Sequence, residues 1–376
     1  MPDPVLQQTM SPDSVRAVAA HPGSSTATGE RSRRDSKILD LTVVMPTVGF
    51  GSDFERSARR VLECLDSAGA RVEFIVALDG PPVSPPAWLD RPGVRIVATG
   101  SRSGPAVARN AAAESARGGV ILFVDADVEV APDALERVVA AFTAEPDLVA
   151  VFGTYDDEPS APGLVSQFRN LLHHHTHVSH PGRATTFWAG CGAMRTANFL
   201  DVGGFDPGFS CPSVEDIDLG MRVTAAGGRI ALDPTLRCKH LKRWTLTSMI
   251  HTDVFARAVP WTKMLVARHA LPATLTIDWK NRVSGVLAVV LVAALAAAPF
   301  VSHAWAVAAA SGVVLVACHP GFYRLCLRKR GPAFAVGAFA LHVLFFVYSS
   351  VAFGAVVLAQ ACAWPARRPE AAGDSA

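Results

Sequence analysis

Residues 120–130 read VILFVDADVEV. Ile121, Leu122, Phe123 and Val124 form a continuous apolar run, β-branched and aromatic, of the kind found in a parallel strand buried on both faces. The run leads into two carboxylates one residue apart, Asp125 and Asp127. Ligands of open α/β sheets bind outside the carboxyl ends of the strands, so both acids would project into a crevice there. Paired hard oxygens suit Mg2+ or Mn2+, which completes its shell with waters and substrate phosphates. A strand followed by an acidic turn would look the same over this segment alone.

Working outward, Leu41 to Pro46 (LTVVMP) reads as another buried strand, followed by a Gly-containing loop and a helical pattern from Phe54 to Ala68. Val72 to Leu78 and Val94 to Ala98 are further strands, the first ending at Asp79-Gly80. Pro105 opens a helix through about Arg117, where its fixed φ suits the first helical position. A helix from Pro132 to Glu145 follows the central strand. Strands and helices alternating through such short connections predict a doubly wound, mostly parallel α/β sheet.

Beyond Ala150 the alternation weakens. Val149 to Gly153 reads as one more strand, and Leu164 to His180 as a helix carrying His173, His174, His175, His177 and His180. His173 and His177 are four apart and could share a metal, but no carboxylate has a ligand's spacing on that face; the other reading is a polar helix or loop near an acceptor. Thr185 to Arg195 packs two glycines around Cys191, which suits backbone close to a ligand or a tight turn. Glu215, Asp216 and Asp218 open a helix that stops at Gly227-Gly228. Acids in a first turn favour the helix dipole, yet three in four residues exceed what capping needs. Ile230 to Leu232 and Thr235 to Cys238 read as short strands.

Half of the 376 residues are hydrophobic and the net charge is +2, which argues neither for nor against nucleic acid. Seven scattered cysteines without a C-x-x-C pair read as reduced thiols in a cytosol-facing protein. Residues 1–37, rich in Ser, Pro, Ala and Arg, read as a disordered leader. From Trp244 to Arg282, tryptophans alternate with Arg257, Lys263, Arg268, Lys280 and Arg282 among apolar residues, the composition of helices lying in a membrane interface. Val283 to Tyr323 and Pro332 to Ala366 contain no Asp, Glu, Lys or Arg. At about 20 apolar residues per pass, the first run fits two crossings turning near Pro299 to His303 and the second fits one. Arg324, Arg328, Lys329 and Arg330 between them place that loop, and residues 1–282 with it, in the cytoplasm. Arg367 and Arg368 then fall outside after three passes, which a fourth crossing or a re-entrant segment would reconcile.

The segments 42-TVVMPT, 79-DG, 104-GPAVARN, 125-DAD, 203-GGFD, 215-EDID and 240-HLKRW occur in an order and spacing that resembles the inverting glycosyltransferases of family 2, of the membrane-anchored bacterial type. The resemblance covers roughly Leu41 to Trp244 and implies a GT-A catalytic domain over 38–245, interfacial helices over 246–282, about three transmembrane helices over 283–364, and a tail over 365–376. It implies a UDP- or GDP-sugar donor, Mg2+ or Mn2+, a lipid or lipid-linked acceptor, the inner membrane as location, and no nucleic acid.

Residue by residue, Pro46, Thr47 and Asp79 match the nucleoside-binding strand ends. Arg109 would face the diphosphate with Asn110 supporting its loop. Asp125 and Asp127 match the pair that holds donor and metal. Asp216 matches the general base with Glu215 as its substitute, and Arg243 and Trp244 match the R-W end of Q-x-x-R-W, where Arg pairs with phosphate and Trp stacks on a sugar. His240 stands where that motif has Gln. Rival readings are a processive polysaccharide synthase, a nucleotidyltransferase on a similar sheet, and a catalytically degenerate scaffold at a membrane.

Overall fold

The computed structural model describes residues 39–68, 71–267 and 279–363. The leader at 1–37, the tail at 365–376 and Arg268 lie outside the described residues. The strands are β1 (Leu39–Thr47), β2 (Val72–Leu78), β3 (Val94–Ala98), β4 (Gly118–Val124), β5 (Val128–Val130), β6 (Leu148–Tyr155), β7 (Gly182–Ala184), β8 (Cys191–Arg195) and β9 (Arg229–His240). They form one sheet in the order β3-β2-β1-β4-β8-β6-β9-β5, with β7 on β9. The half β3-β2-β1-β4 is wholly parallel. Antiparallel β8 then separates β4 from β6, and β6 runs parallel to β9.

The quoted stretch is therefore two strands. β4 stops at Val124, the chain turns through Asp125 to Asp127, and β5 pairs antiparallel with β9. The turn is held by Val128 N–H donating to Asp125 O at 3.0 Å and by Asp125 N–H donating to Gly190 O at 3.2 Å. The turn places both carboxylates off the end of the parallel half, and a straight strand would have sent them to one face.

Helices α1 (Ser52–Ser67), α2 (Pro105–Glu114) and α3 (Ala134–Ala144) cover the parallel half. Val120, Leu122 and Val124 pack in one core with residues of α1 and α3, whereas Ile121 and Phe123 pack in another with residues of α2. Alternate residues of β4 thus face opposite layers, both apolar, as a doubly covered strand requires. Phe123 is fully buried, its ring 5.3 Å from that of Phe199 and 5.2 Å from that of Phe205.

After β6 come α4 (Leu164–Val178), α5 (Thr196–Asp201) and α6 (Glu215–Ala225), then α7 (Leu246–His251), a π-helical segment Thr252–Ala258 and α8 (Val259–Ala267). The two short strands expected around Asp233-Pro234 are one strand, β9, with an irregular register against β6. The C-terminal helices are α9 (Trp279–Ala297), α10 (Ala304–Cys318) and α11 (Pro320–Ala363). α11 bends at Gly331, whose φ of 82° breaks the helical path just before Pro332.

Two helices, Trp279–Ala297 and Pro320–Cys362, are long and apolar enough to cross a membrane. The turn expected near Pro299 to His303 falls between α9 and α10. α10, with 15 residues, spans about 22 Å, less than a hydrocarbon core of about 30 Å. Two of the basic residues of α11 reach the sheet domain: Lys329 Nζ lies 2.6 Å from an Asp157 carboxylate oxygen and Arg330 Nε donates to Gln167 at 2.7 Å.

Candidate active site

The ends of β1, β2 and β4 open into a cavity of about 1980 Å³ that continues between the C-terminal helices. Pro46, Thr47 and Asp79 line it. Thr47 is turned onto its own loop, its hydroxyl donating to Gly49 O at 2.5 Å and accepting Gly49 N–H at 3.2 Å. Asp79 accepts the N–H of Ser103 at 2.7 Å and of Gly104 at 3.1 Å. It is thus an anchor for the loop ahead of α2. Gly104 has a φ of +96°, and a Cβ there would stand 2.5 Å from the carbonyl oxygen of Ser210, so the loop's approach needs glycine.

Arg109 sits one turn into α2, only 5 % exposed. Its Nη2 lies 2.7 Å from Asp125 Oδ1 and its Nη1 3.0 Å from Glu215 Oε1. The guanidinium is therefore a brace between two acids brought together from β4 and α6. It is not aimed freely at a diphosphate. Neighbouring Asn110 does not line the cavity: its amide clasps Phe205, donating to the carbonyl at 2.7 Å and accepting the N–H at 2.9 Å. The loop that Asn110 supports is the Gly203-Gly204 turn, and a side chain at Gly204 would strike the Asn110 amide oxygen at 2.6 Å.

Asp127 faces the end of β9. Pairing of Val128 with His240 brings the His240 Nε2 to 3.7 Å from Asp127 Oδ2, and Asp127 O accepts Leu241 N–H at 2.9 Å. Burial pushes the Asp127 carboxyl up, but His240 and Lys242 outweigh it and hold the group below the ordinary aspartate value. Asp125 moves the other way, raised by burial against the pull of Arg109, with the charge of Asp127 adding to the rise. Two neighbouring carboxylates thus shift in opposite directions: at Asp127 the cationic partners outweigh burial, and at Asp125 burial and the charge of Asp127 outweigh Arg109.

The acidic start of α6 separates in the same manner. Glu215 is 5 % exposed, with one oxygen on Arg109 and the other accepting Ser213 N–H at 2.8 Å. Asp216 lines the cavity and accepts Ala189 N–H at 3.2 Å. Burial, then the charge of Glu215, pushes its carboxyl up to about 7. At that value the Asp216 carboxyl exchanges its proton near neutrality. Its loop partner is held close by Gly220, where a Cβ would overlap the backbone nitrogen of Phe187. Gly220→Ala is expected to push the 186–189 loop off α6, lowering stability by about 1–3 kcal/mol and turnover with it; a thermal melt unchanged from wild type would contradict that packing.

An aromatic wall completes the site, and sequence reasoning missed most of it. The Tyr155 ring stacks on His240 at 4.4 Å and 16°, and contacts Trp188 at 4.8 Å and His173 at 4.4 Å. His173 and His177, one turn apart on α4, have ring centroids 4.0 Å apart. Burial lowers the proton affinity of both, to about 4 for His177, so both rings are neutral. Among the described residues no group of three or more His, Cys, Asp or Glu is gathered to hold a metal. The histidines are wall residues, with His177 Nδ1 3.0 Å from Gly153 O. A visible signal for Trp188 was Gly190, whose Cβ would overlap the folded-back indole.

Trp244 is buried against Ser166 and lines the cavity, with Lys242 Nζ 4.2 Å from its ring centroid. Arg243 is exposed and does not line the cavity. The cation that this segment offers the site is Lys242, because burial of Leu241 and Trp244 leaves Arg243 on the outer side.

Residues 42–202 match the family model described as Glycosyl transferase family 2. The chain is similar to the mannosyltransferase PcManGT from Pyrobaculum calidifontis, solved in complex with GDP-Man and Mn2+, at 17 % identity, with 86 % of this chain and 88 % of that one covered and a TM-score of 0.50. At that identity the likeness is one of fold. It also overlaps GalNAc-T7, solved with UDP, GalNAc and Mn2+, at 18 % identity over 58 % of this chain and 48 % of that one, with a TM-score of 0.41. No curated protein matches the chain.

Proposed function

We propose that this glycosyltransferase, whose residues 42–202 carry the family 2 module, is a membrane-anchored inverting enzyme that moves a sugar from a UDP- or GDP-sugar to a hydroxyl of a lipid or lipid-linked acceptor. The single observation that carries the reading is Asp216, a carboxylate pushed up to about 7 on the wall of a cavity that runs from the strand ends to the apolar C-terminal helices. A base there takes the proton from the acceptor hydroxyl. The freed oxygen lone pair attacks the anomeric carbon in line, and the bond to the donor diphosphate breaks with its electrons leaving on the diphosphate.

The other residues have distinct tasks in this reading. Arg109 orients Asp125 and occupies Glu215, which leaves Asp216 as the proton acceptor. Asp125 and Asp127 are the hard oxygen donors for Mg2+ or Mn2+. Asp127, held below its ordinary value, is ionised as a metal ligand must be. The ion, when bound, neutralises charge developing on the leaving diphosphate. The mannosyltransferase of similar fold was solved with GDP-Man and Mn2+, which supports a nucleotide-sugar donor and a divalent ion here. Trp188 and Trp244 offer faces on which a sugar ring can stack.

The module boundaries follow: a catalytic domain over 38–245, interfacial helices over 246–282 and membrane helices over 283–364. Contact of Lys329 and Arg330 with Asp157 and Gln167 puts the basic segment on the catalytic domain's side, which by the positive-inside rule supports a cytoplasmic site.

The test is nucleotide diphosphate release by detergent-purified protein over a panel of nucleotide sugars, with a bacterial lipid extract as acceptor. Chelator is expected to abolish release and Mn2+ to restore it; full activity in chelator would remove the metal from the scheme. The kcat/KM for acceptor is expected to rise with pH through about 7 and then level, because below that pH Asp216 carries a proton and cannot accept another. A flat profile between about pH 5.5 and about pH 8.5 would rule Asp216 out as the base.

A further inference from the structure

We propose that the acceptor is an acidic phospholipid with a hydroxyl-bearing headgroup, its phosphate held by Lys280 and Arg282 and its chains lying along α9 and α11. This deepens the lipid-acceptor reading and rests on it. From Asp216 the cavity passes Arg257 and Trp261 and reaches Lys280 and Arg282 in the first turn of α9. Val286 on α9 and Phe346 and Phe353 on α11 form its apolar wall there. The cavity therefore changes character along its length, from carboxylates at the catalytic end to cations and then hydrocarbon.

Among the described residues, charge at the membrane end is not fully compensated. Among the described residues the acid lining that end is Asp253, 3 % exposed, whose Oδ1 is held by Arg169 at 2.5 Å and whose Oδ2 accepts the Tyr348 hydroxyl at 2.6 Å. Arg257 shares the same carboxylate at 3.6 Å. Among the described residues no carboxylate lies within ion-pair distance of Lys280 or Arg282. Trp261 adds a second sign of an absent partner: its indole N–H is buried and without an acceptor on the cavity wall. An indole nitrogen can only donate, so it too calls for an oxygen ligand.

A soluble sugar would leave the apolar wall wet, and a neutral lipid would leave two cations and an indole N–H unmatched. A lipid phosphate satisfies all three, since ammonium and guanidinium groups at a membrane boundary bind anionic headgroups while apolar faces meet the chains. The base fixes the rest of the headgroup. Asp216 has work to do only if the nucleophile is a hydroxyl, so the lipid must carry one besides its phosphate.

The experiment is calorimetric titration of the detergent-purified full chain with dihexanoyl phosphatidylglycerol, dihexanoylglycerol and glycerol 1-phosphate. Wild type is compared with a Lys280→Gln/Arg282→Gln double variant and with Arg328→Gln, an exposed cation away from the cavity. Wild type is expected to prefer the phospholipid over the neutral lipid by about thirtyfold, about fivefold for each cation with the remainder from the indole. The double variant is expected to lose that preference while binding nucleoside diphosphate as wild type does, and Arg328→Gln to lose nothing. A charge-keeping Lys280→Arg/Arg282→Lys variant must retain the preference, and its loss there overturns the assignment. Equal affinity for the two lipids in wild type, or a preference surviving in the glutamine variant, also overturns it. Glycerol 1-phosphate binding as tightly as the phospholipid would overturn the lipid as the source of the phosphate. In the transfer assay, equal rates to diacylglycerol and phosphatidylglycerol would sink this inference and leave the lipid-acceptor reading standing, whereas transfer to soluble glycans alone would sink both.

Discussion

An Asp216→Asn enzyme is expected to bind nucleoside diphosphate normally and to transfer sugar about 10²–10⁴ times more slowly than wild type. Asparagine keeps the size of the side chain and an oxygen able to accept the Ala189 N–H, so the 186–189 loop and the wall around Trp188 stay in place. What it removes is the lone pair that receives the acceptor proton in the proposed reaction. Glu215 is expected to substitute poorly, because its carboxylate is ion-paired with the buried Arg109 guanidinium. The same replacement is expected to raise stability above neutral pH. Folding lifts the Asp216 carboxyl from 3.8 to about 7, so the folded protein binds this proton more tightly than the unfolded chain. Wild-type stability therefore falls as pH rises through that interval, and the asparagine variant escapes the loss. Single-turnover rates and thermal melts at about pH 8 read both effects. A variant that is both slow and unstable would mark Asp216 as a structural residue, and one with full rate would favour chemistry that needs no base.

Replacing Arg109 by methionine is expected to cost about 3–5 kcal/mol of stability, the largest single-residue effect in the catalytic domain. Methionine matches the length of the side chain and leaves Asp125 and buried Glu215 facing each other without a cation. The loss reflects uncompensated charge in a low-dielectric interior, more than the net worth of the ion pairs themselves. Combining Arg109→Met with Asp125→Asn and Glu215→Gln is expected to recover most of the stability and none of the activity, since Asp125, the proposed metal donor, is gone. Arg109→Lys is expected to lie between, because one ammonium cannot reach two carboxylates in the fixed geometry of a guanidinium fork. Denaturant midpoints across the four proteins separate these outcomes, and a methionine variant as stable as wild type would show that the brace is solvated.

Much of the parallel half was legible because β1, β2 and β4 are largely buried on both faces and so read as mostly apolar runs. Val72 to Leu78 and Val94 to Ala98 coincide with β2 and β3, and the acids at the ends of β2 and β4 stand at the mouth of the cavity. The charge-free run after Arg282 likewise marked α9, α10 and the turn between them. In each case neighbouring residues carry the information, through periodicity, turn residues and the absence of charge.

The wiring of the site was not local. Arg109 meets Glu215 across 106 positions, and Asp127 meets His240 only because β5 folds back onto β9. Arg243 and Lys242 are interchangeable as letters, and packing of Leu241 and Trp244 decided which of them faces the cavity. The same holds for the histidines of α4, which could equally have been ligands until β6 and Trp188 closed over them. By itself the sequence determined an α/β sheet with acids at its strand ends and apolar helices behind it, because strand burial and helix hydropathy are properties of contiguous residues. Only the tertiary structure decided which acid is braced, which is ionised and which can take a proton. Those differences come from the desolvation and the partner charges that each carboxylate acquires when distant segments meet.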